Sequence, residues 1–115
     1  MIREVDIDTA HSSMDMDSFE QQLSQRTKLV RVGYASNATG TINDVAEVIK
    51  LAHRVGALVF VNAVHYAPHG PIDVKALHCD FLTCSAYKFF APHMGILYSK
   101  QEHLAKLKPY KVKAA

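Results

Sequence analysis

The sequence predicts an α/β fold, a three-layer α-β-α arrangement around a mostly parallel sheet. Two runs, residues 57–64 (ALVFVNAV) and 80–87 (DFLTCSAY), have the near-continuous hydrophobicity of strands covered on both faces. Segments of helical spacing lie before and between them, and such alternation with short connections marks right-handed crossovers in a layered α/β domain. At 115 residues the chain has room for one small domain.

Each element has its own signal. Residues 2–8 alternate apolar and charged side chains, the pattern of a strand with one wet face. Asp17 followed by Glu20 resembles a capping box, and with Phe19 and Leu23 as an apolar stripe it predicts a helix over 17–25. Residues 28–35 (KLVRVGYA) read as a strand, and 36–40 (SNATG) as a loop. Asn43 is placed to cap a helix whose Val45, Val48, Ile49 and Ala52 share a face, with Gly56 as its stop. Strand 57–64 leads into a loop with Pro68 and Gly70, and Asp73 caps a short helix to residue 77. Strand 80–87 is followed by a Pro92-containing loop, a short strand over 95–98 and a helix over 101–107. The strand pattern that starts at residue 2 and the uncapped basic stretch over 106–115 read as cuts through a larger architecture.

Composition narrows the function classes. Thirteen Lys and Arg against eleven Asp and Glu leave +2, too balanced for a protein that tracks nucleic-acid phosphates. No apolar run approaches the roughly 20 residues of a membrane span, and two cysteines do not make a disulfide scaffold. A reduced, cytoplasmic protein is the expectation. Walker, GxGxxG, GxSxG and HExxH signatures are missing from the sequence. His65 and His69 have metal-pair spacing, but Pro68 between them places them in a loop, and no metal site is assigned. Cys79 and Cys84 read as small core residues, His11, His53, His78, His93 and His103 as surface or satisfied core histidines, and the lysines from Lys100 onward as a solvated face.

In open α/β sheets ligands bind beyond the carboxyl ends of the strands. Those ends carry Ser36 and Asn37, Asn62 to His65, and Ser85 to Lys88. Lys88 stands out, since an apolar strand delivers it into the Phe89-Phe90 pair. Flanking aromatics would desolvate it and favour a neutral, nucleophilic amine; the alternative is a lysine whose ammonium snorkels to water. The local pattern leaves both open.

Three segments in register, residues 27–44 (TKLVRVGYASNATGTIND), 57–77 (ALVFVNAVHYAPHGPIDVKAL) and 79–98 (CDFLTCSAYKFFAPHMGILY), resemble the large domain of fold-type-I pyridoxal phosphate enzymes of the class V aminotransferase and cysteine desulfurase group. The likeness is greatest to the cysteine desulfurase-like branch, and the first 26 residues fit the segment that leads into this region. The resemblance implies a PLP-dependent transferase or lyase acting on an amino acid. It also implies catalytic roles for Lys88 and His65. Lys88 corresponds to the lysine that forms the internal aldimine with pyridoxal 5'-phosphate, and Ser85 to a residue that bonds the cofactor phosphate. Tyr87 stands where cysteine desulfurases often have His, with a hydroxyl that can serve the same phosphate. Asn37 matches an asparagine near the cofactor's phenolic oxygen and the substrate carboxylate, and His65 a Gln or His on that oxygen. The family is a homodimer, with further site residues upstream and downstream of the matched region.

Two positions depart from the pattern. Asn62 replaces the Asp that keeps the cofactor's ring nitrogen protonated, and a neutral amide can donate to that nitrogen without holding it charged. Ala91 stands where Gly is usual. Two other readings therefore stand beside the enzyme: a truncated or degenerate non-catalytic α/β domain that serves binding, and a domain in which Lys88 contacts some other phosphorylated ligand. On the first reading the isolated chain, with part of a site, is expected to have little activity.

Overall fold

The computed structural model describes residues 1–108, so the part of the basic stretch from 109 to 115 lies outside the described residues. The elements are β1 (Ile7–Asp8), β2 (Ser13–Met14), α1 (Met16–Gln22), β3 (Leu29–Gly33), α2 (Val45–Arg54), β4 (Leu58–Asn62), α3 (Val74–Leu77), β5 (Phe81–Ser85), a single 3-10 turn (Ala86–Phe89), β6 (Gly95–Ser99) and α4 (Gln101–Leu104). The main sheet runs β3-β4-β5-β6, with the first three strands parallel and β6 antiparallel to β5. This is a mixed α/β fold with a mostly parallel sheet, as the alternating pattern predicts.

The amino-terminal segment differs from expectation. Only Ile7 and Asp8 of the predicted strand pair, and their partner is the unpredicted β2 in a small antiparallel ribbon. Before Ile7 the backbone is satisfied outside a ladder, the Asp6 carbonyl accepting from the Asp15 N–H at 3.1 Å and the Glu4 carbonyl from Gln22 Nε2 at 3.0 Å. Helix α1 begins one residue earlier than Asp17: the cap is Asp15, whose Oδ1 accepts from the Ser18 backbone N–H at 2.9 Å. Likewise Asp44, not Asn43, caps α2, accepting from the Glu47 N–H at 3.0 Å. Asn43 instead ties the preceding loop down, its Nδ2 donating to the Gly33 carbonyl at 2.8 Å. Gly56 ends the α2 connection at φ +78°, in the left-handed region where a Cβ is strained. Asp73 caps α3 as predicted.

The core lies between α2 and one face of the sheet. Val45, Val48, Ile49 and Ala52 of α2 meet Val32 of β3, Val59 and Val61 of β4, and Leu82 of β5. Each fully buried valine contributes roughly 1.5–3 kcal/mol. Strand β4 alternates instead of burying both faces: Val59 and Val61 are inaccessible, while Leu58, Phe60 and Asn62 are half-buried. The expected two-sided cover is therefore one-sided here. On the other face Phe60 stacks on Phe81 at 6.2 Å, and Phe81 meets His103 of α4 at 5.4 Å.

One buried charge organises the amino end of the parallel strands. Asp80, 2% exposed, accepts from the Val59 N–H at 2.8 Å, His53 Nε2 at 2.8 Å, Lys100 Nζ at 2.8 Å and His103 Nε2 at 2.9 Å. Lys100 is thus not part of a solvated face, because its ammonium is committed to this carboxylate. Burial alone would raise the Asp80 pKa, but the bonds from Lys100, His53, His103 and Val59 win and hold it well below the usual carboxylate range.

Candidate active site

The register aligns the three parallel strands so that their carboxyl ends reach one edge: Gly33 lies beside Asn62, and Asn62 beside Thr83. Three connections leave that edge. After β3 the chain passes through Tyr34 into the 36–40 turn, closed by Ser36 N–H to Thr41 O at 2.9 Å and Gly40 N–H to Ser36 O at 3.1 Å. After β4 it turns through Ala63–Ala67, with Ala67 N–H bonded to Ala63 O at 2.9 Å. After β5 it enters the 3-10 turn that carries Tyr87 and Lys88.

Asn62 and His65 leave the end of β4, and Ser85, Tyr87 and Lys88 leave the end of the adjacent β5. Asn37 sits exposed in the turn beyond β3. Among the described residues no side-chain hydrogen bond joins these six to one another. The contact among them is between neighbours, with the Lys88 ammonium 5.2 Å above the Tyr87 ring centroid. The Tyr87 ring also stacks on His93, with centroids 4.7 Å apart and planes 18° from parallel.

Of the two readings left open for Lys88, the structure gives the one in which the ammonium reaches water. Its side chain is exposed, and Phe90 takes a left-handed φ of +66° that leaves the ring fully exposed instead of lying over the amine. Within this chain, an aromatic neighbour in sequence does not become an aromatic cover in space, because the turn after β5 sends Phe90 away.

Two polar groups have defined availability. The backbone N–H of Val64 can only donate, so the atom of Asn62 that it meets at 3.2 Å is the carbonyl oxygen Oδ1. The amide Nδ2 is therefore the donor that Asn62 has left to offer. Ser85 precedes the 3-10 turn without its hydroxyl capping it. A primary amine, a free hydroxyl, an amide donor and an imidazole along one sheet edge fit a flat, phosphorylated aromatic aldehyde such as pyridoxal phosphate.

Sequence reasoning missed two features of this edge. Tyr34 and Tyr66 stack at 3.9 Å with planes 4° apart, joining the loops after β3 and β4. Burial raises the Tyr34 phenol pKa, and the adjoining Tyr66 phenol raises it further. The sequence signal was one aromatic directly after β3 and another four residues past the end of the neighbouring β4. His93, read as uninformative, stacks on Tyr87. Cys79 is buried as expected, and burial foremost, then the Asp80 charge, pushes its thiol pKa up.

Known proteins share this arrangement. The chain is 43% identical over 99 residues to a probable cysteine desulfurase of Synechocystis sp., a match over 85% of this chain and 24% of the relative. It is 41% identical over 98 residues to a probable cysteine desulfurase of Halalkalibacterium halodurans, over 84% of this chain and 24% of that protein. A cysteine desulfurase of Thermococcus onnurineus superposes on 96% of this chain and 28% of its own length, with a TM-score of 0.85 and 32% identity. The chain thus spans about a quarter of the length of the curated relatives it matches. Among the described residues no helix is long and apolar enough to cross a membrane. The sequence model of the class V aminotransferases matches residues 2–114. With that match running through all three strand-end segments, the chain belongs to the class V aminotransferase family, among relatives that are cysteine desulfurases.

Proposed function

We propose that this chain carries the lysine-bearing part of a pyridoxal phosphate-dependent enzyme of cysteine desulfurase type, acting on an amino-acid substrate in the cytoplasm. The observation that supports it most is the place of Lys88: an accessible amine directly beyond β5, on the sheet edge that also presents Asn62 and His65. When bound, the cofactor offers an aldehyde that condenses with primary amines and a ring that withdraws electrons from the attached carbon. Lys88 is the amine that holds the cofactor and yields its place to the substrate amine. Ser85 donates its hydroxyl to the phosphate, with Tyr87 beside it. His65 and Asn37 donate to the phenolic oxygen and the substrate carboxylate. The relatives are about four times as long as this chain, and we take the ring stacker, the phosphate loop, the substrate-binding arginine and the sulfur-accepting cysteine to come from segments outside these 115 residues, in a homodimer.

Asn62 favours a second reading, a relative whose chemistry is lost and whose fold serves binding. Its Oδ1 is engaged by Val64, so Nδ2 can donate to a ring nitrogen but no carboxylate is present to keep that nitrogen charged. Adding pyridoxal phosphate separates the readings. The enzyme reading predicts a yellow protein with a new visible absorption band that Lys88→Ala abolishes. A colourless protein, or a band that survives Lys88→Ala, supports the binding reading instead.

A further inference from the structure

Tyr34, half-buried and packed against the core, stacks on Tyr66, and the pair ties together two of the three loops at the site. Tyr34 is anchored at both backbone ends: its N–H donates to Asn62 O at 2.9 Å, and its carbonyl accepts from the Asn43 N–H at 2.9 Å. Tyr66 is anchored too, with its N–H on Ala63 O at 3.0 Å and its carbonyl accepting from the His69 N–H at 2.8 Å. Two rings on fixed backbones, 3.9 Å apart and 4° from parallel, leave little freedom to the residues between the anchors. His65 directly precedes Tyr66, and the Ser36-Asn37 turn begins two residues after Tyr34.

Gly70 supplies the second observation. A Cβ at this position would stand 3.3 Å from Tyr66 Oη and 3.7 Å from its Cζ. The phenol therefore lies against the bare backbone of Gly70, and a side chain there requires the Tyr66 phenol to give way by a few tenths of an ångström. Gly70 has no positive φ among the strained positions, so the close approach of Tyr66, not backbone conformation, is what a side chain here would disturb.

We propose that Tyr34 and Tyr66 are positioning residues, a staple seated by Gly70 that holds His65 and the Ser36-Asn37 turn in one arrangement for the ligand. The ligand part of this rests on the reading of the sheet edge as a pyridoxal phosphate site; the staple itself does not. A ring pair that only filled space would give way to Gly70→Ala without moving His65 or weakening ligand binding. A staple seated by that contact would not.

The experiment is a double-mutant cycle on the full chain: Gly70→Ala, Tyr66→Phe and the two combined. It is read in two ways: by the His65 imidazole NMR resonances without ligand, and by pyridoxal phosphate affinity from absorbance. Tyr66→Phe keeps the stack and is expected to leave both near the starting values. Gly70→Ala is expected to shift the His65 resonances and weaken pyridoxal phosphate binding about three- to tenfold, the scale of one aromatic pair. The combined variant, with Oη removed, is expected to recover most of both. Equal effects of Gly70→Ala in the two backgrounds, or His65 resonances unmoved by Gly70→Ala, would overturn the staple. If the unaltered chain takes up no pyridoxal phosphate, the site reading fails, and the His65 resonances alone decide the staple.

Discussion

His53, in the last turn of α2, donates from Nε2 to Asp80 Oδ2 across 2.8 Å. The bond joins a helix that covers the sheet to the residue just before β5, and Asp80 extends the connection to Lys100 and His103 beyond β6. The connections between strands are thus pinned at the end of the sheet away from Lys88, which leaves the carboxyl edge to carry the polar groups of the site.

Asp80→Asn is expected to cost about 3 kcal/mol of folding stability, since removing one member of a buried charge cluster leaves the others desolvated and unpaired. Urea unfolding measures it, and a loss under about 0.5 kcal/mol, the range of an ordinary surface substitution, would contradict the assigned role.

Acid tests the same group. The folded-state pKa of Asp80 is depressed, so its contribution is fully present above the unfolded pKa and fades as pH falls below about 4 toward the folded value. Stability of the unaltered chain should therefore drop more steeply with acid in that window than stability of Asp80→Asn. Parallel pH profiles would show that Asp80 is not the group responsible.

Val61 is inaccessible in the centre of β4, and Val61→Ala is expected to cost about 2 kcal/mol by loss of buried methyls and the cavity left behind. Leu29→Ala, on the exposed start of β3, is expected to cost less than about 0.5 kcal/mol. Comparable losses at the two positions, measured by thermal or urea unfolding, would contradict the one-sided core.

Gly56→Ala is expected to destabilise by about 1 kcal/mol through its positive φ, because open space surrounds the position and no clash adds to the strain. A neutral result would show that the turn after α2 relaxes to an ordinary conformation.

On the proposed enzyme reading, Asn62→Asp is expected to raise turnover by placing a carboxylate at the cofactor's ring nitrogen. Equal rates for the two forms would remove Asn62 from that role.

The alternation of strands and helices was legible because apolar periodicity is local, and α2, with its stripe of Val45, Val48, Ile49 and Ala52, is found where the spacing puts it. Caps were legible to within two residues: Asp15 and Asp44 took the places expected of Asp17 and Asn43 because acidic and amide side chains cluster there and only backbone geometry selects among them. The Asp80 cluster was not legible, since its four partners come from α2, β4, the β6–α4 connection and α4. Nor was the exposure of Lys88, which depends on the direction Phe90 takes after the turn. The placement of Asn62, His65, Ser85 and Lys88 at strand ends followed from strand boundaries alone, whereas the Tyr34-Tyr66 stack required the register of β3 against β4.

Reduction with borohydride after incubation with pyridoxal phosphate, followed by peptide mass spectrometry, asks most directly whether Lys88 is the reacting amine. The account predicts a phosphopyridoxyl group on Lys88, present at low cofactor excess and far above the level on exposed lysines such as Lys28 and Lys50. Modification spread evenly over the exposed lysines, or none at Lys88, would contradict it.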